Sequence, residues 1–218
     1  MKLIQLGLVA GVLGLGLGLS GCATATIALK EKFGYAKREQ LVSAVKDVRD
    51  AQQDAKKQFA SALDQFIAVT GSKGGDLEAK YRKLQSEYDR SVSRAEAVRS
   101  EIKDVDNVSN ALFKEWREEL SKYNDARLRA DSERQLEDTR RQYDKLYDTM
   151  KAAESRMQPV LNAFSDQVLY LKHNLNAQAI AGLQGNVERI QMDVSNLIRE
   201  MEASIAESNA FISQMKTN

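Results

Sequence analysis

The sequence has few of the residues that interrupt regular structure: one proline and twelve glycines among 218 residues. Six of those glycines fall within residues 1–21, which leaves six for the remaining 197 residues. A β-sandwich, a β-barrel or a doubly wound α/β domain needs many more turn residues than this. The sequence therefore predicts an all-α fold built from long helices.

The side chains from which most metal and catalytic sites are made are also scarce, because Cys22 is the only cysteine and His173 the only histidine. A metal site needs several cysteine, histidine or carboxylate ligands that converge on one point. A catalytic triad needs a nucleophile beside its base, and no nucleophile motif is visible in the sequence. We therefore expect no metal, no cofactor and no enzymatic activity.

An excess of positive charge is missing as well, since 32 lysines and arginines stand against 31 aspartates and glutamates. The two signs alternate along the chain, which is typical of a solvated helix surface. A nucleic-acid-binding protein usually carries a basic excess, because neutralising phosphates supplies much of its affinity. The balance of charge argues against nucleic acid, and against an anionic lipid surface, as the main partner.

What the sequence does contain begins with an export signal. Lys2 supplies a positive start, residues 3–19 are apolar, and Leu19-Ser20-Gly21-Cys22 follows. The pattern is typical of a secretory signal, and its last four residues resemble the lipobox of bacterial lipoproteins, in which the cysteine becomes the lipidated first residue. We predict three N-terminal parts: a signal peptide over 1–21, lipidation of Cys22, and a short tether over 22–27.

Two other interpretations of this region stay open: an uncleaved transmembrane anchor, and an ordinary signal peptide with a chance cysteine. A span needs about 20 apolar residues, whereas this run of 17 residues contains several glycines. Ala23 stands where an aspartate, in the lipoproteins that the sequence resembles, favours retention in the inner membrane. In a Gram-negative host the predicted location is therefore the outer membrane, with the protein anchored by lipid and facing the periplasm.

After the tether, apolar residues recur at alternating spacings of four and three, as in a coiled coil. We call each such row of positions a seam. The first seam runs from Leu41 to Val69 and is interrupted only by Gln52. The third runs from Leu136 to Leu175 and includes Arg140, Tyr143, Tyr147, Met150, Glu154 and Met157, and the fourth runs from Ile180 to Met215. Four seams predict one domain over 28–218, an elongated antiparallel bundle with helices over about 28–70, 76–123, 126–174 and 177–216. Helices of this length form a rod of roughly 60–70 Å.

The predicted ends of these helices differ in how clearly the sequence marks them. A glycine with positive φ is expected after the first helix, at 71–75, and Asp76 is the expected N-cap of the second. Residues 122–125 are a weak boundary, so one continuous helix is an alternative there. A turn at 174–176 is preferred over one at 182–186, which Gly182 and Gly185 would also permit.

Three residues are candidates for a structural or an interaction role. Pro159 removes a helical hydrogen bond and predicts a kink, which either is static or adjoins a small cavity. His173 is expected to hydrogen-bond the end of a helix, where its positive form suits the dipole. Asn176 is the predicted N-cap of the fourth helix. In addition, Arg140 and Glu154 occupy seam positions, where they either line a polar site, fix the register or reach solvent.

The whole chain resembles a family of uncharacterised proteobacterial lipoproteins that share a domain of unknown function. The resemblance rests on the lipobox, on Met157-Gln158-Pro159-Val160-Leu161, and on Asp166-Gln167-Val168-Leu169-Tyr170-Leu171-Lys172-His173-Asn174-Leu175-Asn176. It implies export and a helical architecture, and it carries no activity, cofactor or catalytic residue to transfer.

Two functions are compatible with these observations. The first is a membrane-anchored coiled-coil scaffold or adaptor of the cell envelope, whose partner is another envelope protein or a second copy of the chain. The alternative is a small-molecule or stress-sensing binding module with a cavity near Pro159. A deep apolar pocket at Pro159 would favour the second function, and a continuous dry core with exposed apolar side chains would favour the first.

Overall fold

The computed structural model describes residues 36–71 and 76–217, and the regular structure in both ranges is entirely α-helical. The predicted all-α class is therefore confirmed. The predicted signal peptide, the lipidation of Cys22, the tether and the first part of the first helix, up to residue 35, lie outside the described residues. So does most of the predicted glycine-containing turn, at 72–75.

The described residues form five helices: α1 (Lys37–Thr70), α2 (Leu77–Leu120), α3 (Ala126–His173), α4 (Ala177–Gln184) and α5 (Val187–Thr217). The longest, α3, has 48 residues and is about 72 Å long at ~1.5 Å per residue. The prediction of one helix over 177–216 is wrong, because the chain breaks after Gln184 into a short α4 and a longer α5.

Aspartate side chains begin both α2 and α3. Asp76 accepts a hydrogen bond from the backbone N–H of Ala79 at 2.9 Å. Asp125 accepts from the N–H groups of Arg127 and Leu128 at 2.8 and 3.2 Å. Such a cap satisfies N–H groups that the first helical turn leaves free. Because the chain leaves the helical conformation before Asp125, α2 and α3 are separate helices and the continuous alternative is excluded.

Gly71 ends α1 in a way that differs from the prediction. Its φ is −77°, within the right-handed region, and its N–H donates to the carbonyl of Ile67 at 2.9 Å. The expected positive φ is therefore absent at this residue, because the last turn simply completes its α-helical hydrogen bond.

The seams of α1 and α5 form much of the interior. All nine predicted positions of the first seam are buried, including the polar Gln52. The seam of α5 is buried from Ile190 to Met215 and contains two serines, Ser204 and Ser208, among larger apolar residues. Burial of these apolar rows is what stabilises the fold, since ~25 cal/mol is gained per Å² of apolar surface removed from water.

The seam predicted for α3 needs a correction. Tyr143, Met150 and Met157 are buried, as expected. The other buried positions of this row are Thr139, Leu146 and Ala153. The predicted residues one position later, Arg140, Tyr147 and Glu154, are only partly buried. Both choices keep the four-three spacing, and burial of an unpaired charge is costly, so the charged positions lie at the edge of the core.

Each long helix packs against two others: α1 and α3 each contact α2 and α5. The bundle thus has the cyclic order α1, α2, α3, α5. Ion pairs join Lys37 to Glu115 at 2.8 Å near the start of α1, and Asp54 to Arg94 at 3.4 Å further along. The start of α1 therefore lies beside the end of α2. We call this the α2–α3 end of the bundle, after the loop that closes it.

The opposite end is closed by α4, which contacts α1 and α3. The side chain of Gln184 donates to the carbonyl of Thr70, the last residue of α1, at 2.9 Å. We call this the α4 end.

Candidate interaction surfaces

The connection between α3 and α4 contains two of the residues singled out from the sequence. Asn176 caps α4, because its side chain accepts a hydrogen bond from the N–H of Ala179 at 2.9 Å. Asn174 closes α3 by donating from its side chain to the carbonyl of Tyr170 at 2.9 Å. His173 is the exposed last residue of α3 and makes no hydrogen bond or ion pair with the described residues. The expected bond from His173 to a helix end is therefore not formed.

A second break follows at 185–186, so the two turn positions weighed from the sequence both contain a turn. Asn186 organises it: its backbone N–H donates to Leu183, its carbonyl accepts from Ile190, both at 3.0 Å, and its side chain donates to Gln167 at 3.2 Å. Gly185 lies in this turn, whereas Gly182 lies within α4.

Gly182 has a packing role instead. A Cβ atom added there would lie 3.1 Å from the hydroxyl oxygen of Tyr170, which is closer than most Cβ contacts. The absence of a side chain allows the Tyr170 ring to pack against α4. This contact was not apparent from the sequence, because the two residues lie on different helices.

Large apolar side chains are exposed together at the α4 end. Leu169, Tyr170 and Leu175 are 58%, 44% and 43% exposed. We call these three residues the α4-end patch. They lie in the stretch 166–176 that carries the family resemblance, on either side of the exposed His173 in the sequence. Exposed apolar residues in a group are typical of a protein contact surface, whereas isolated ones are normal.

Pro159 lies within α3 and is exposed. Its neighbours on the inner face, Met157 and Val160, are buried, so the proline lies on the solvent side of the helix. None of the three grooves described next is lined by Pro159.

A groove of about 310 Å³ lies between α2 and α3, toward the α2–α3 end. We call it the α2–α3 groove. Its apolar surface comes from Phe113 and Leu136, which are otherwise buried. The remaining lining residues are charged: Arg117, Glu137, Arg140 and Arg141.

The three arginines of this groove are held in different ways. The guanidinium of Arg140 lies over the Phe113 ring, 5.1 Å from its centre, and pairs with Asp144 at 3.0 Å. Arg141 pairs with Asp138. Arg117 donates from Nε to the carbonyl of Phe113 at 3.1 Å and has no acidic partner among the described residues. Of the three arginines, only Arg140 occupies a predicted seam position. Phe113 lies one position beyond the seam residue Leu112.

Two further grooves follow the contact between α1 and α5, with volumes of about 270 and 370 Å³. Their linings mix lysines with acidic and amide side chains. Lys56 pairs with Glu202 across the first at 3.2 Å, and Arg38 donates to the carbonyl of Met215 in the second at 2.5 Å.

Tyr143 is the most strongly perturbed titratable residue described here. Its ring packs between Phe113, Tyr147 and Phe211. Burial raises the pKa of its hydroxyl, which donates a hydrogen bond to Asp106 at 3.4 Å. A phenol with a raised pKa stays protonated at neutral pH, so the hydroxyl acts as a hydrogen-bond donor to Asp106.

Within residues 36–71 and 76–217, no group of three or more histidine, cysteine or carboxylate side chains is placed to hold a metal ion. In the same ranges no helix combines the length and the apolar character that a membrane span requires.

Comparison with known proteins identifies the family of the chain. No curated protein matches the sequence. A family model does match, over residues 27–215, which include every described helix except the last two residues of α5. The chain therefore belongs to the family described as "Protein of unknown function (DUF2959)".

Proposed function

We propose that this protein is a periplasm-facing lipoprotein of the outer membrane, whose elongated antiparallel helical bundle acts as a scaffold or adaptor in the cell envelope. Lipid on Cys22 anchors the chain, and exposed side chains of the bundle bind another envelope protein or a second copy. The proposal assigns no catalytic role to the protein.

The observation that carries the proposal is the contrast between the interior and the α4 end. The seams fill the interior with apolar side chains from four long helices. At the α4 end, by contrast, Leu169, Tyr170 and Leu175 remain exposed together. A protein that binds a partner through its surface needs such a patch and has no need of an internal cavity.

The anchor would also orient the bundle. Fifteen residues separate Cys22 from Lys37, so the start of α1 can lie at most about 50 Å from the lipid. The α2–α3 end is then proximal to the membrane. The α4-end patch would lie a further helix length away, where it can reach partners in the periplasm.

The alternative function, a binding module with a cavity at Pro159, gains no support from the position of that residue, which is on the solvent side of α3.

Site-specific photocrosslinking in intact cells tests the proposal. A photoreactive amino acid would replace Leu169 or Leu175 in the patch, or Met192 as the control, which is an exposed apolar residue on α5 outside the patch. We expect one discrete adduct from both patch positions and none from Met192, and we expect Cys22→Ser to abolish it. The absence of a reproducible adduct at either patch position would contradict the scaffold role.

A further inference from the structure

The α2–α3 groove has a floor of Phe113 and Leu136 and is lined by arginines, whereas the basic residues of the two grooves beside α1 are mostly lysines. Three of its charged lining residues are arginines and one is Glu137, a net charge of 3 − 1 = +2. The chain as a whole is nearly neutral. The larger groove beside α1 has the same net charge, so the α2–α3 groove is distinguished by planar guanidinium groups beside an aromatic and aliphatic floor rather than by charge alone.

Arg117 supplies the charge that is most available to a ligand. Its Nε hydrogen bond to the carbonyl of Phe113 at 3.1 Å holds the guanidinium beside the apolar floor. No acidic side chain among the described residues pairs with it. A planar guanidinium with free N–H groups is suited to bind a carboxylate through two parallel hydrogen bonds.

The other two arginines add to this potential without closing the groove. Arg140 and Arg141 pair with Asp144 and Asp138, which are exposed carboxylates one turn away on α3. Exposed pairs of this kind are weak, so a ligand anion can share these arginines. Arg140 also stacks on Phe113, which keeps its charge at the edge of the apolar surface.

The size and chemistry of the groove limit what fits. A volume of about 310 Å³ is at the lower end of small-molecule sites, which are mostly apolar with a few polar groups that fix orientation. Glu137 disfavours a ligand with several negative charges. A neutral apolar ligand would leave the Arg117 charge unpaired.

We propose that the α2–α3 groove binds an amphiphilic monocarboxylate, with an aliphatic chain on Phe113 and Leu136 and the carboxylate on Arg117 and Arg140. The site is distinct from Pro159, which lies 18 residues beyond Arg141 in the sequence, or about 27 Å along α3. The inference goes beyond the scaffold role and does not depend on it.

The single tryptophan makes the proposal measurable. Trp116 precedes Arg117, and its indole donates to Ser132 across the α2–α3 contact at 2.8 Å. Its fluorescence would therefore report a ligand that binds nearby. The probe is dodecanoate, kept below its micellar concentration and titrated into the full mature chain carrying Cys22→Ser, so that no detergent competes.

Two control compounds test the two parts of the proposed ligand: dodecanol has the aliphatic chain without the carboxylate, and acetate has the carboxylate without the chain. We expect saturable binding of dodecanoate, much weaker binding of dodecanol, and none of acetate. Equal binding of dodecanol and dodecanoate would overturn the role of the arginines, and failure of dodecanoate to bind up to its solubility limit would overturn the site.

Two variants locate the binding. Arg117→Gln is expected to weaken dodecanoate binding about tenfold or more, as loss of a charge-assisted bidentate contact does, and Arg140→Gln to weaken it in the same direction. The matched control is Arg134→Gln, an exposed arginine on α3 that pairs with Asp131 outside the groove, and it should bind as the parent chain does. Thermal melting of each variant checks that it is folded, and unchanged affinity in a folded Arg117→Gln chain would contradict the proposal.

Discussion

Gln52 is a polar residue in the middle of an apolar seam, and its side chain is wholly buried. Neither its amide oxygen nor its amide nitrogen has a hydrogen-bond partner among the described residues. Contacts between α1 and α5 on either side of it, Arg49 with Asn209 and Lys56 with Glu202, place it opposite residue 206, between Ser204 and Ser208. The Ser204 hydroxyl is also buried and unpaired. The interior thus has one layer whose polar groups lower the stability of the fold.

Replacement of Gln52 by methionine should therefore stabilise the protein. Methionine has a similar length and a similar helix propensity, and it removes a buried polar group whose desolvation costs about 1–3 kcal/mol. Urea unfolding followed by circular dichroism would measure the free energy of unfolding. Gln135→Met, at an exposed position of α3, is the control and should change that free energy by less than about 0.5 kcal/mol. Loss of stability in Gln52→Met would mean that the amide specifies the register of the bundle.

Glu101 is a carboxyl group whose surroundings oppose its negative charge. Partial burial, and then the nearby charges of Asp47 and Asp104, raise its pKa above the ordinary value of 4.5. The folded state therefore holds the proton more tightly than the unfolded state does. The stability that results is complete below pH 4.5 and is lost as pH rises through the raised pKa.

A permanently neutral side chain should keep this stability at every pH. Glu101→Gln is expected to raise the melting temperature at pH 7 and to leave it unchanged below pH 4.5. The gain should remain within about 1 kcal/mol, because the carboxyl group is largely solvated. Melting curves at both pH values, with the exposed Glu118→Gln on the same helix as control, test the prediction. A gain of equal size at both pH values would show that charge is not its cause.

At the scale of single helices, the cap of α4 makes the most specific prediction. Asn176 provides the hydrogen bond to Ala179 that starts this eight-residue helix, and a helix so short has little stability of its own. Asn176→Ala should reduce the free energy of unfolding by about 1 kcal/mol, within the 0.5–2 kcal/mol range of such caps. Asn176→Ser keeps a capping oxygen and should recover most of the loss. Equal losses in the two variants would mean that the side chain acts in some other way.

The seams show how far the sequence determines these helices. In α1 the spacing from Leu41 to Val69 allows a single choice of inner face, and that face is buried. In α3 two choices share Tyr143, Met150 and Met157, and the sequence pattern does not distinguish Leu146 from Tyr147. Contact with α2 and α5 together selects Leu146. The spacing of apolar residues within one helix does not indicate which other helices pack against it.

The candidate surfaces were less predictable, for the same reason. Arg140 was recognisable as a charge in a seam, whereas the groove also needs Phe113 and Arg117 from α2 and the turn between the two helices. The packing of Tyr170 on Gly182 likewise joins two helices, α3 and α4, which the turn at 174–176 brings into contact. Caps are local, and so the aspartate and asparagine that begin α2 and α4 could be read directly from the sequence.

At the scale of the whole molecule, positive and negative charges balance. Residues 22–218 contain 31 positive and 31 negative side chains. No helix in the described part of the chain reaches the length and apolar character of a membrane span. The proposed anchor is lipid at Cys22, attached through more than one acyl chain.

Fractionation of cells that express the wild-type chain or Cys22→Ser tests this central claim most directly. Both proteins would be followed by immunoblotting in outer-membrane, inner-membrane and soluble periplasmic fractions. We predict that the wild-type chain is found with the outer membrane and that Cys22→Ser, with its helices intact by circular dichroism, is found in a soluble fraction or remains as unprocessed precursor. A processed Cys22→Ser chain that still sediments with the outer membrane would contradict the account, because the bundle itself would then hold the protein there.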